Sequence, residues 1–284
     1  MDTRTIPQNA LVAGISALAS HLTNAEPETT FLHLLTYKSP SVEVLQKLML
    51  NSLTAEYALR VTSLVNDGEY LEQSAAWTFP QVYYSMFFSA RAFLLTTGQD
   101  EANEETVRTL IGTGVARGYY PEAIGFYACG PFGNYKINRL PFAQYDTESQ
   151  APTNENIWQF DIGRLLWSTR GRQYQAMRTR MGFPQGNLSP EANKEVSKNM
   201  GYTTFMDIIT RLGRSAADTL DLTGTSVAEF HRNLLVIVNF VNWVHEAHIC
   251  RAIGKDAFLK IIDGLPYHLQ NEYLQTRFTS ILSA

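Results

Sequence analysis

His245, Glu246, His248 and Arg251 form the densest run of proton-carrying and cationic side chains in the chain. On a helix, residues three apart face roughly the same side, so His245, His248 and Arg251 could line one groove, and an atypical nuclease could use them. A zinc-peptidase helix needs His-Glu-x-x-His, with its histidines four apart. The spacing here is one residue short, and no metal or cofactor is expected. His231 stands fourteen positions before His245, about 21 Å along a helix at about 1.5 Å per residue, too far to share a site. The alternative role for this group is structural, because a neutral imidazole readily satisfies buried partners.

A second candidate is the segment containing Arg164, Arg170, Arg172, Arg178 and Arg180, with Trp167 and Tyr174 interleaved and no acidic residue between Gly163 and Pro190. Guanidinium forks suit phosphates, and aromatic rings stack on bases. RNA is the ligand this pattern fits, although the same charges could form a solvated helix face complementing acidic stretches such as Glu101 to Glu105 or Asp218 to Asp221. Arg91 stands alone among Phe87, Phe88, Phe93, Leu94 and Leu95, with Tyr84 two helical turns earlier. It either anchors a carboxylate or helix end, or contacts a phosphate in a groove.

The motifs of several enzyme classes are missing. There is no Gly-x-Ser-x-Gly, no P-loop Lys-Ser/Thr after the glycines near Gly130 and Gly133, and no Cys-x-x-Cys. Two cysteines, Cys129 and Cys250, are too few for a disulfide framework and point to a reducing, cytoplasmic compartment. The formal charge of −4 excludes a protein that coats nucleic acid by bulk charge alone. No secretory leader is read at the N-terminus, and the apolar run Leu234 to Val244, interrupted by Asn239 and Asn242, is too short for a membrane span.

The elements carrying these residues read as helices throughout, in one domain over 1–284. Ser39-Pro40 marks a helix start. Val42, Leu45, Met49, Leu53, Tyr57, Val61 and Leu64 then recur at three or four, predicting an amphipathic helix that ends at Asp67-Gly68. A second helix starts near Glu69, where Pro80 must kink it or begin a new segment. Further helices are expected at 101–112, 156–181, 203–213, 227–252, 255–263 and 266–280. Ser226 and Glu229 have capping-box spacing, and Gly254 suits a C-terminal cap. Residues 113–155, rich in Gly, Pro, Tyr and Phe, read as an irregular insertion with a short helix at 121–128. Its aromatics, Tyr119, Tyr120, Phe126, Tyr127, Phe132 and Tyr135, suit either RNA or a protein partner.

Residues 56–98 carry a more specific pattern: the Asp67-Gly68-Glu69-Tyr70 turn, Tyr83-Tyr84, Phe87 or Phe88, Ala90-Arg91-Ala92, Leu94-Leu95 and Gly98. This stretch resembles the core helices of the HEPN superfamily, helical proteins of RNA processing, toxin–antitoxin pairs and antiviral defence in bacteria. The resemblance implies an all-α HEPN-like bundle with core helices at about 39–112, the aromatic insertion and a C-terminal helical extension at about 156–284. It also implies an RNA-associated or complex-forming role, with a protein partner or homodimer. Active members carry Arg-x-x-x-x-His; no arginine here has a histidine five positions later, and Arg91 and Arg232 meet Thr96 and Ile237 instead. The expected protein is therefore without the family's usual ribonuclease activity.

Overall fold

The computed structural model describes residues 9–25, 29–65, 67–132, 135–140, 157–183, 186–213 and 226–283. The turn expected around Leu222 to Gly224, the acidic stretch Asp218 to Asp221, and 141–155 of the insertion lie outside these residues. The described part is an all-α helical bundle with one small two-stranded ladder. Its helices are α1 (Asn9–Thr23), α2 (Val42–Leu64), α3 (Gly68–Thr96), α4 (Glu104–Arg117), α5 (Ile157–Arg180), α6 (Pro190–Met200), α7 (Phe205–Gly213), α8 (Val227–Ile253), α9 (Lys255–Asp263) and α10 (Glu272–Ser283). Strands β1 (Tyr127–Cys129) and β2 (Lys136–Asn138) pair antiparallel inside the insertion, where the sequence suggested a short helix. Only a single 3₁₀ turn, Glu122–Ile124, forms there.

Helix α2 begins at Val42, after Ser41 rather than at Pro40. Its apolar register also departs from the expected stripe. Leu45, Met49 and Leu53 are buried, but Val61 and Leu64 are 38% and 79% exposed. Steps of four residues advance a helix by about 40° each, so a run of fours rotates out of the core. The buried face instead continues through Ser52, Glu56 and Leu59.

Helix α3 starts where the Asp67 carboxylate accepts the Glu69 and Tyr70 N–H groups. It passes through Pro80 without ending, losing one rung of its ladder. It packs on α2, α7 and α8, while α1 lies across α5 and α8. The α1–α5 crossing is close because Gly14 faces Leu165: a Cβ at Gly14 would fall 2.6 Å from the Leu165 Cβ. Helix α8 starts at Ser226, whose hydroxyl accepts the Glu229 N–H, and stops at Gly254 with φ 84°. Helices α1 and α6 were not read from the sequence. In α6 the signal was present: Ser189 caps the helix through Ala192 N–H and Pro190 occupies its first turn.

Candidate functional site

Helix α8 places His245 and His248 in the core, both 0% exposed. The Phe93 ring of α3 lies between them, with its centroid 5.5 Å from His245 at an interplanar angle of 6° and 4.5 Å from His248 at 29°. Each imidazole is held at both nitrogens. His245 Nδ1 is 2.8 Å from Ser89 Oγ, and its Nε2 is 2.9 Å from the Tyr120 hydroxyl. His248 Nε2 donates to the Tyr119 carbonyl at 2.8 Å, so its Nδ1 must accept from the Tyr37 hydroxyl, also at 2.8 Å. Tyr37 has a second acceptor, the Leu32 carbonyl at 3.1 Å, and one phenolic proton serves both.

Burial pushes His245 down to about 3, with His248 adding to the effect. It pushes His248 down to about 4 against the opposing Tyr119 bond. Burial likewise raises Tyr37 to about 12 and Tyr120 well above its usual value. Both rings are neutral at pH 7, and bases this weak are poorly matched to proton abstraction at that pH. Arg251 is exposed at the end of the same helix, 3.4 Å from His33 Nδ1. The three residues therefore share a helix without sharing a groove.

The arginine-rich helix α5 is also turned inward for much of its length. Arg170 is 0% exposed and donates to the carbonyls of Ala128, Gly130 and Gly201 and to the Thr203 hydroxyl. One guanidinium thus ties the β1 edge to the loop before α7. Thr203 Oγ1 donates to Gln173 at 2.6 Å, and Gln173 Nε2 donates to Asp207 at 2.6 Å. Burial lifts the Asp207 carboxyl to about 6, although Arg108, at 3.3 Å, and the Thr204 N–H oppose the rise. Arg178 is buried on the Gly186 carbonyl at 2.7 Å, whereas Arg180 pairs with Glu105 at the surface.

Arg172 is exposed, and Arg164 is half-buried beside Phe160. Trp167 and Tyr174 flank the Phe132 ring at 6.1 and 5.3 Å. Gly171 makes that seat possible, since a Cβ there would lie 3.0 Å from the Phe132 ring. Arg91 is half-buried, and its Nε donates to the Glu101 carbonyl at 2.7 Å, so its partner is backbone just before α4.

Sequence reading missed a buried charge lattice joining α2, α3, α8 and α10. Arg277 Nη1 donates to both oxygens of Glu56 at 2.9 Å, and its Nη2 to Glu246 Oε1 at 2.9 Å. Arg277 Nε and Glu246 Oε2 also approach to 2.9 Å as an ion pair, though neither has a well-directed hydrogen bond there. Arg60 donates to Glu56 from α2 itself, and Asn242 donates to Glu56 Oε2 and to Ser85 Oγ on α3. The Arg60 guanidinium stacks on Tyr273, 3.7 Å above the ring centroid.

The two carboxyls respond in opposite directions. Burial, reinforced by Glu56, raises Glu246 to about 7 against the pull of Arg277. Glu56 is lowered: burial acts to raise it, but the guanidinium groups of Arg277 and Arg60 and the Asn242 bond prevail. A signal existed in the sequence, because Glu56 stands in phase with Leu45, Met49, Ser52 and Leu59 on one face of α2.

Helix α3 shows the opposite arrangement on its outer side. Tyr70, Trp77 and Tyr84 are 44%, 73% and 49% exposed, and Tyr84 stacks on Phe88 with centroids 6.0 Å apart. Arg91 follows at the same seven-residue interval. Among the described residues, no group of His, Cys, Asp and Glu side chains has the arrangement of a metal site. No described helix is long and apolar enough to cross a membrane. Comparison with family models, curated proteins and solved structures finds no match to this chain.

Proposed function

We propose that this chain is a non-catalytic, complex-forming helical module built on a HEPN-like α2–α3 core and acting by surface contact. The observation that carries the reading is the pairing of inward chemistry with outward aromatics. The histidines of α8 are sealed and neutral, while α3 presents Trp77 at 73% exposure between Tyr70 and Tyr84. Tyrosine, tryptophan and arginine are the side chains that most often anchor protein interfaces. The missing Arg-x-x-x-x-His pair supports the same conclusion, and a bacterial or phage defence or toxin–antitoxin setting follows from the resemblance alone.

The test is recovery of assemblies formed by the full-length chain in its host. Trp77→Lys with Tyr84→Lys should remove them without changing thermal unfolding; unchanged assemblies would overturn the proposal. A second reading, RNA association through α5, draws on Arg172 and Arg180, which are exposed, and on the half-buried Arg164. It predicts that Arg172→Glu with Arg180→Glu weakens RNA binding in low salt and flattens its salt dependence. Equal binding by the variant would rule it out.

A further inference from the structure

A separate surface gathers cations from four segments of the chain. Arg251 is exposed in the last turn of α8, and its Nη2 lies 3.4 Å from Nδ1 of His33, which closes the 3₁₀ turn Thr30–His33. Leu34 follows that turn and is 60% exposed. Gly118, which ends α4 with φ 87°, brings the next group alongside. A Cβ at Gly118 would fall 3.5 Å from Leu34 Cδ1 and 3.6 Å from both terminal nitrogens of Arg139, so leucine and guanidinium share the space over one glycine. Arg139 follows β2, and Arg117, also exposed, precedes that glycine in α4. The row therefore runs Arg251, His33, Leu34, Arg139.

Helix ends explain part of this arrangement. Arg117 and Arg251 stand in the last turns of α4 and α8, where cations complement the helix dipole. Arg139 donates to the Val115 and Ala116 carbonyls at 2.9 and 3.2 Å, which engages two of its five N–H groups. Neither role explains why Leu34 is left exposed between cations. Among the described residues, none of the three arginines forms an ion pair with a carboxylate. A chain with a formal charge of −4 thus carries a local surface of like positive charges, which an acidic ligand would relieve.

We propose that this row binds an acidic segment of a partner protein, one that carries an apolar side chain flanked by carboxylates. The carboxylates meet Arg251 on one side and Arg139 with Arg117 on the other, while the apolar side chain covers Leu34. Guanidinium forks hold carboxylates by paired hydrogen bonds, and arginine is enriched at protein interfaces. An RNA strand fits the row less well. Its bases need rings to stack on, and the side chain between the cations is aliphatic. The row shares no residue with the aromatic face of α3, so it goes beyond the complex-forming reading above and does not rest on it.

The experiment is fluorescence anisotropy of labelled probes with the full chain, with thermal unfolding by circular dichroism as a control for folding. The probes are a peptide repeating Glu-Glu-Leu, its Lys-Lys-Leu and Glu-Glu-Ser counterparts, and an oligouridylate. The Glu-Glu-Leu peptide should bind, and salt should weaken it. The Lys-Lys-Leu peptide should not bind, and the Glu-Glu-Ser peptide should bind more weakly. Arg117→Glu with Arg251→Glu should reduce binding at least about tenfold with the melting temperature nearly unchanged, and the milder Arg117→Gln with Arg251→Gln should reduce it too. Leu34→Ser should erase the preference for Glu-Glu-Leu over Glu-Glu-Ser. Arg139 is left intact, since its bonds support the end of α4. Absence of Glu-Glu-Leu binding in low salt, or equal binding by both arginine variants, would overturn the site. Oligouridylate held as tightly as the peptide by the same arginines would overturn the choice of a protein segment.

Discussion

Helices α3 and α8, 29 and 27 residues long, run against each other and invert the usual distribution of side chains. Helix α8 buries His245, Glu246, His248 and Asn242, whereas α3 exposes Tyr70, Trp77 and Tyr84. The contrast teaches that chemical reactivity in a sequence and chemical availability in a fold are different properties. Buried polar groups are mostly hydrogen-bonded, and α8 finds its partners in Ser89, Tyr120, Tyr119, Tyr37, Glu56, Ser85 and Arg277, leaving Asn242 Oδ1 and Glu246 Oε2 without a well-directed bond. An exposed aromatic is common when single, but several at one helical interval form a surface suited to contact. The polar groups of α8 are taken up by the fold, and the aromatics on the exterior of α3 are not.

The sharpest way to break the contrast is Arg277→Ala, which strands Glu246 in the core and leaves Glu56 with only Arg60 and Asn242. Losing one partner of a buried pair costs about 3–5 kcal/mol, so urea unfolding should show a loss of that order. A loss below about 1 kcal/mol would mean that the lattice is not a structural support.

The charge lattice also makes a pH prediction. Glu246 binds its proton more tightly folded, at about 7, than at its ordinary 4.5, so the folded state holds more protons between these values. Its contribution to stability is full below pH 4.5 and is lost as pH rises towards 7. Glu246→Gln keeps the hydrogen-bonding shape without the titration. The variant should gain on the wild type by a few kcal/mol between pH 4.5 and 7 in chemical denaturation, since each tenfold change in proton affinity is worth about 1.4 kcal/mol. A constant gap across that range would show that Glu246 does not titrate there.

A smaller effect is expected where α5 seats the insertion. Gly171→Ala pushes a methyl group against Phe132 and should cost about 1–3 kcal/mol in thermal unfolding, with loosened protection of β1 in hydrogen exchange. Tyr37→Phe removes the proton shared by Leu32 and His248 and should cost about 1 kcal/mol. Smallest of all, Trp77→Ala should change stability by no more than about 0.5 kcal/mol, as for an ordinary surface position. A large loss there would mean that α3's outer face is structural, and the contrast between the two helices would disappear.

Much of the scaffold was legible. Periodicity and caps located α2, α3, α7, α8 and α9 because those signals are local: Asp67 and Ser226 bond groups two or three residues away. The β1–β2 ladder was not legible, since β1 is held from distant segments: Ala128 bridges Thr203, and Arg170 reaches Ala128, Gly130, Gly201 and Thr203 at once. The same holds for the arginine-rich segment. Its composition suits phosphates, yet Arg170 and Arg178 spend their donors on carbonyls of the chain itself.

The sequence by itself determined that the chain is helical, where α3 and α8 begin, and that the motifs of several common enzyme classes are missing. These follow from interactions within one or two helical turns. Only the tertiary structure decided which side of each helix faces water. It buried His245 and His248 around Phe93, linked Glu56 to Arg277 across 221 positions, and left Trp77 outside. Facing is set by packing between distant segments, where desolvation and the supply of hydrogen-bond partners decide whether a side chain serves the fold or remains available to a partner.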